Sequence, residues 1–216
     1  MKTDIIWDID GVLSDFTLGF KKFINERHRI PVAPCGAKKS WAFRGLAPAE
    51  EVDMWQQAAS GKYDWSQQGS LLTAGDWQGI RDLKEGGATY WYITSRFGPP
   101  SQVIAQTQQW LSDQGFPDVE NLCLTMDKVD SIKFHPAHID PIALIDDDIR
   151  NIVSYDAAFG AGRVFIRDWQ YNRGHAVFAD YGHSIESVTA LSCNRVSSVS
   201  EFCYKALENI DGIDRG

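Results

Sequence analysis

Two groups of acidic residues stand apart in this sequence, Asp8-Ile9-Asp10-Gly11 near the start and Asp146-Asp147-Asp148 in the second half. An aspartate can attack phosphorus and become an aspartyl phosphate. A second carboxyl two residues on can protonate the leaving oxygen and later activate water. Asp8 and Asp10 have the type and spacing for those two roles, and Gly11 lets the chain turn close to a ligand. Alone, Asp-x-Asp-Gly is also a turn sequence and part of many calcium loops. The second acidic group decides more. Three consecutive acids exceed what is needed to cap a helix beginning near Ile149, a task for Asp148. If Asp146 and Asp147 converge with Asp8 and Asp10, mutual repulsion raises their pKa values unless a cation lies among them. Mg²⁺ is the expected cation for this set of four carboxylates, because it takes oxygen ligands, keeps several waters and accepts substrate phosphate into its shell.

Between the acidic groups lie two residues suited to binding a phosphoryl group. Thr94, in Tyr92-Ile93-Thr94-Ser95-Arg96, can donate to a phosphoryl oxygen with neighbouring backbone N–H groups assisting. Lys128 can neutralise charge on the nucleophile and on the phosphoryl group, and Lys133 competes for that role. Taken singly, each is as well explained by a core threonine or a solvated lysine.

These residues must be carried by elements that end near one another. Ile5 to Trp7, Thr89 to Ile93, Leu122 to Leu124, Ile142 to Ile145 and Val164 to Ile166 are short, apolar and β-prone, as buried parallel strands are. Helical patterns separate them. The clearest is Ser101 to Gln114, with Val103, Ile104, Thr107, Trp110 and Leu111 on one face and Gly115 to end it. Another runs from Asp76 to Glu85, and a last one follows Ser198. This alternation predicts one α/β domain over residues 1–216 with a Rossmann-like, mainly parallel sheet. In such sheets ligands bind beyond the carboxyl ends of the strands, where Asp8, Thr94 and Asp146 fall. Residues 16–72 break the alternation, being helix-prone and studded with Phe20, Phe23, Trp41, Phe43, Trp55, Tyr63 and Trp65. They read as an inserted helical cap, most of whose rings are core.

The ordered set strand-Asp-x-Asp-Gly, strand-Thr, Lys, strand-Asp-Asp resembles the four motifs of the haloacid-dehalogenase-like superfamily. The resemblance implies Asp8 as nucleophile, Asp10 as acid and base, Thr94 and Lys128 on the phosphoryl group, and Asp146 with Asp147 holding Mg²⁺. Dehalogenases of the superfamily typically lack the second aspartate, so Asp10 favours phosphoryl chemistry. A receiver domain uses similar residues but places its acidic pair first, and here the pair is last. Within the superfamily the chain is similar to the 5′(3′)-deoxyribonucleotidases in Asp8-Ile-Asp-Gly-Val-Leu-Ser-Asp-Phe16, Ile93-Thr94-Ser95, Leu124-Thr125-x-Asp127-Lys128, Ile145-Asp146-Asp147 and Tyr171-Asn172-Arg173. That likeness implies a nucleoside monophosphate as substrate, with Phe16 and Ser95 beside it. The chain departs from the pattern at Arg96, where the family commonly has proline, and at Met126, where some members carry an arginine. Lys128 also lies farther from Asp146 than the pattern leads one to expect, which leaves Lys133 open.

The remaining features bound the partners. A net charge of -8 disfavours a polynucleotide and fits a small phosphorylated metabolite. The four cysteines form no CxxC pair, and no apolar run is long enough for a signal peptide or a membrane span. A cytoplasmic protein is the expectation, and the oligomeric state is left open. His135-Pro136-Ala137-His138 lacks an acidic or cysteine partner at metal spacing and reads as loop histidines, not a zinc site. Two other readings stand beside a nucleotidase: a phosphatase for a sugar phosphate or other small metabolite, and a binding protein without turnover on the same fold.

Overall fold

The computed structural model describes residues 3–28, 33–34, 43–44, 47–169, 172 and 194–214. Trp41, Tyr171 and Arg173, singled out above, lie outside the described residues, as do Cys35 and Cys193. A six-stranded sheet forms the centre, built from β1 (Asp4–Trp7), β6 (Thr89–Thr94), β7 (Leu122–Leu124), β8 (Pro141–Asp146), β9 (Val164–Arg167) and β10 (Asn194–Val196). Its order is β10-β9-β8-β1-β6-β7, with every neighbouring pair parallel. The chain builds outward from β1 on one side and returns to build outward from β8 on the other. The crevice between such halves is where α/β sheets bind ligands. The expectation of an α/β domain with a mainly parallel sheet is met.

The four central strands β1, β6, β8 and β9 are buried on both faces, which is why they read as unbroken apolar runs. Ile5, Trp7, Tyr90, Tyr92, Ile145 and Phe165 enter one hydrophobic cluster, while Ile6, Trp91, Ile93, Leu144, Val164 and Ile166 enter another. Alternate residues thus serve opposite faces, as the pleat requires. The first cluster is closed by α3 (Ala74–Glu85), α4 (Pro100–Gln114) and the last helix, α7 (Val199–Asp214), through Ile80, Leu83, Trp110 and Phe202. The second is closed by α5 (Lys128–Lys133) and α6 (Ile149–Phe159), through Ile132, Ile149 and Ile152.

The segment between β1 and α3 holds α1 (Phe16–His28) and α2 (Pro48–Gln57), and short strands besides. β2 (Ser14–Asp15) pairs antiparallel with β5 (Gly69–Ser70), and β3 (Ala33–Pro34) with β4 (Phe43–Arg44). The β2–β5 pair has a physical reason. It brings the outgoing and returning chain side by side, so their backbone groups satisfy one another. Above this base Phe16, Phe20, Phe23, Ile24, Met54, Tyr63 and Trp65 form a third cluster that also takes in Val103 of α4.

One carboxylate ties two helices of the first face together. Asp76 accepts from the Thr73 N–H and hydroxyl at 2.9 and 2.8 Å, closing a capping box on α3, and from the Ser200 N–H of α7 at 2.7 Å. Burial opposes its charge, but these bonds from Thr73 and Ser200 hold its pKa below the ordinary 3.8. Asp76→Ala should therefore cost about 1–3 kcal/mol at neutral pH, from a lost cap and an unpaired N–H. A depressed carboxylate contributes fully above its unfolded pKa and loses its contribution as pH falls through the folded one. In urea unfolding, the gap between wild type and Asp76→Ala should be full at pH 6 and shrink below pH 3.8. A gap independent of pH would show that Asp76 acts by packing alone.

Candidate active site

β8, β1 and β6 lie side by side, so the residues at their C-terminal ends meet. Asp8 follows β1, Asp146 ends β8 and Thr94 ends β6, all three buried. Lys128 comes from the first position of α5 and points its ammonium between two of the carboxylates. Its Nζ donates to Asp8 Oδ1 at 2.7 Å and to Asp146 Oδ2 at 2.8 Å. Lys133, at the far end of α5, is exposed, so Lys128 is the lysine that reaches the acids. Asp146 is further held by the Asp148 N–H at 2.8 Å and the Asn151 amide at 3.0 Å. Asp148 caps α6 by accepting from the Arg150 N–H, which is the role expected of it.

Asp8, Asp146 and Asp147 bring carboxylate oxygens within 4.8 Å of one another, all three residues buried. Burial pushes the Asp8 pKa up, and the charges of Asp146 and Asp10 add to it, against the pull of Lys128. Burial alone would pull Lys128 down, yet Asp146 and Asp8 hold it well above its ordinary value. Lys128 is therefore a permanent cation here. Asp8, Asp146 and Asp147 thus present three carboxylates at one point, with Lys128 bridging two of them, an arrangement a divalent ion would suit. Hard oxygen donors in this number suit Mg²⁺.

Asp10 does not send its carboxylate into that group, in contrast to the expectation of four converging acids. Arg96 Nε and Nη2 bind its two oxygens at 2.8 Å each, and the Ser14 hydroxyl donates to Oδ1 at 2.7 Å. Burial raises the Asp10 pKa, but the charge and hydrogen bonds of Arg96, with those of Ser14 and Gln68, bring it below the ordinary value. The sequence marked Arg96 only as a departure from a family pattern. Its partnership with Asp10 spans 86 positions and has no local signature.

A cavity of about 410 Å³ opens above the acids. Asp8, Asp10, Thr94, Lys128 and Asp147 line its charged end, and Phe16, Trp55, Trp65 and Phe97 form an aromatic wall. Phe16 is 5% exposed and stacked between Phe20 and Trp65, at centroid distances of 5.0 and 5.7 Å, so its ring is mainly a packing element. Trp55 and Phe97 keep more of their surface exposed. Ser95 lines the cavity, but its hydroxyl is committed to the Thr125 carbonyl at 2.7 Å. Met126, Arg150 and Asn151 complete the rim. His135 packs on Trp91 and accepts from the Ala137 N–H, away from this constellation.

Residues after β9, among which the family likeness marks Asn172, brace the site. Trp169 Nε1 donates to the Gly11 carbonyl at 2.7 Å, and Asn172 donates to the Asp147 carbonyl at 3.1 Å.

No family model matches the chain, and no curated protein matches it in sequence. Solved structures do match in three dimensions. A D,D-heptose 1,7-bisphosphate phosphatase from Burkholderia thailandensis aligns with a TM-score of 0.52 at 12% identity, over 95% of this chain and 99% of its own. A protein assigned as a β-phosphoglucomutase from Thermotoga maritima gives 0.54 at 10% identity, over 96% and 99%. A haloacid dehalogenase-like hydrolase from Burkholderia xenovorans LB400 gives 0.53 at 12%, over 97% and 98%. This chain has the haloacid-dehalogenase-like fold. Among the described residues no helix is long and apolar enough to cross a membrane.

Within this fold Gly11 has a specific steric duty. Its φ is +87°, and a Cβ built there would stand 2.3 Å from Asp147 Oδ2. Gly11→Ala should cost about 1 kcal/mol or more through the backbone alone and should displace the Asp147 carboxylate. The expected result is a lowered melting temperature together with a weakened Mg²⁺ dependence of stability. A variant that melts lower but responds to Mg²⁺ as the wild type does would show that Asp147 is not displaced from a metal position.

Proposed function

We propose that this protein is a Mg²⁺-dependent phosphomonoester hydrolase that works through an aspartyl phosphate on Asp8, with a nucleoside monophosphate as its substrate. The observation that carries the reaction class is the convergence of Asp8, Asp146 and Asp147 around the Lys128 ammonium at the floor of an open cavity. Bound by Asp8, Asp146 and Asp147, Mg²⁺ supplies charge neutralisation for the phosphoryl oxygens. Lys128 holds the Asp8 carboxylate in place and offsets the negative charge that gathers as the phosphoryl group approaches. The Asp8 carboxylate attacks phosphorus, and the bond to the leaving oxygen breaks with its electron pair going to that oxygen, which takes a proton from Asp10; the negative charge of the bound phosphoryl group raises the affinity of Asp10 for that proton, against the pull of Arg96. Thr94 and the backbone N–H of Ser95 donate to the phosphoryl oxygens. Asp10 then takes a proton from the water that attacks the aspartyl phosphate, releasing inorganic phosphate and restoring Asp8.

The aromatic wall supports a planar leaving group. The partly exposed rings of Trp55 and Phe97, 5.1 Å apart between centroids, line the same cavity as the charged residues and offer it apolar surface. Stacking of a base on a ring contributes about 1–3 kcal/mol in single-strand binders. A second reading, a sugar phosphate, draws on the opposite rim, where Asp148, Arg150 and Asn151 offer polar groups to hydroxyls. Two of the structural neighbours carry names of enzymes for phosphorylated sugars.

Chelation with EDTA should abolish hydrolysis of p-nitrophenyl phosphate and Mg²⁺ should restore it, while Asp8→Asn should lose turnover by about 10⁴-fold or more, since the amide cannot form the aspartyl phosphate. Wild-type turnover after chelation, or in Asp8→Asn, rules the mechanism out. A panel of nucleoside 5′- and 3′-monophosphates and sugar phosphates separates the two substrate readings. Trp55→Ala should raise KM for a nucleoside monophosphate about tenfold or more, as loss of 1.4 kcal/mol or more of stacking implies, and change p-nitrophenyl phosphate little. Preference for sugar phosphates, with Trp55→Ala indifferent between substrates, would reject the base-stacking wall.

A further inference from the structure

Arg96 is a heavily committed buried cation, and nothing in the reaction above uses it. Its side chain is fully buried. Nε and Nη2 grip the two oxygens of Asp10, Nη2 also reaches Gln68 Oε1 at 2.8 Å, and Nη1 reaches Thr107 Oγ1 at 2.8 Å. The guanidinium carbon lies 4.7 Å from the centroid of the Trp65 ring. Each of those partners is itself pinned. Thr107 donates to the Val103 carbonyl within α4, the Gln68 carbonyl accepts from Trp110 Nε1 at 2.9 Å, and Trp65 Nε1 donates to the Phe97 carbonyl at 3.2 Å. The planar fork is thus fixed in position and in rotation by α4, by the loop after β6 and by the chain returning from the insert. A guanidinium so held dictates the plane of any carboxylate it binds through two parallel bonds.

Counting lone pairs on that carboxylate distinguishes its two oxygens. Each carboxylate oxygen can accept about two hydrogen bonds. Oδ1 of Asp10 accepts from Arg96 Nη2 and from Ser14 Oγ and is filled. Oδ2 accepts from Arg96 Nε, with the Gln68 amide close by but its nitrogen not hydrogen-bonded, and has room for one partner more. Asp10 also lines the cavity that receives the ester.

We propose that Arg96 is a positioning residue for Asp10, fixing the carboxylate so that Oδ2 is the atom that exchanges the proton with the leaving oxygen and then with water. The inference rests on the phosphatase reading above and adds to it the residue that orients the acid. It predicts a particular failure when Arg96 is changed. Attack by Asp8 is intact, because Lys128 and the acidic group are untouched, but the acid is no longer aimed. An ester whose leaving group departs as a stable anion is then spared, and one whose leaving group needs a proton is not. A purely structural role would slow both alike.

The test is single-turnover release of the leaving group with Mg²⁺ present, which reads the first step alone, for p-nitrophenyl phosphate and for an alkyl phosphate such as glycerol 2-phosphate. Arg96→Met should slow alcohol release at least tenfold more than it slows p-nitrophenol release, within the range of about 10²–10⁴ that general acids contribute. Arg96→Lys keeps the charge but cannot bind both oxygens in one plane, so it should show the same split. Gln68→Met removes one partner of the fork while leaving both bonds from Arg96 to Asp10 possible, and should show a smaller split in the same direction. If Arg96→Met fails to fold by circular dichroism, the lysine and Gln68 variants decide. An active wild type whose folded variants show no split overturns the role of Arg96 alone. A wild type that releases neither alcohol nor p-nitrophenol overturns the phosphatase reading and this inference with it.

Discussion

Negative charge gathered at the ends of two neighbouring parallel strands, β1 and β8, is the constraint around which this molecule is arranged. Asp8, Asp146 and Asp147 are buried within 4.8 Å of one another, and Asp10 lies on the same loop as Asp8. Uncompensated, carboxylates so placed would protonate or pull the loops apart. Among the described residues two buried cations of different kinds answer this charge. Lys128 is a point charge that bridges Asp8 and Asp146, and Arg96 is a planar fork that grips Asp10. The difference matches the partners, since a lone ammonium can sit between two acids whereas a fork sets the plane of one.

The rest of the fold follows from the need to hold those groups still. Parallel strands packed on both faces leave β1, β6 and β8 little freedom, so the residues that follow them inherit fixed positions. Loops alone would not be so fixed, and they are braced. Trp169 and Asn172 hold the carbonyls of Gly11 and Asp147, and the φ of +87° at Gly11 leaves room for the Asp147 carboxylate. The charged floor is rigid for the same reason that the sheet is.

The aromatic insert solves a different problem. Its rings bury one another, Phe16, Phe20 and Trp65 being packed in a stack with Tyr63 edge-on, and so the segment carries a core of its own above the strand ends. It is also bolted to the domain below, through Trp65 and Gln68 on α4 and the loop after β6. Arg96 lies at that junction. The residue that holds Asp10 is therefore also in contact with the chain returning from the insert, so the shape of the cavity wall and the setting of Asp10 are mechanically linked.

Much of this was legible in the chain itself. Ile5 to Trp7 and Ile142 to Ile145 announce buried strands because both of their faces are covered, and the helices over 74–85 and 100–114 announce themselves by one apolar face and by their caps. Asp8, Thr94 and Asp146 could be placed at strand ends because each directly follows such a run. The short edge strand Asn194–Val196 could not, since its polar residues carry no periodicity. Nor could the β2–β5 pairing, which depends on two chain segments 55 positions apart meeting. The choice between Lys128 and Lys133 turned on which end of α5 faces the acids, and Phe16 proved a packing ring where Trp55 and Phe97 keep exposed faces. Arg96 is the clearest case of all. Local pattern determines which residues form strands and helices and what lies at their ends. Which cation meets which carboxylate depends on side chains distant in sequence arriving at one point, and only the tertiary structure decides that.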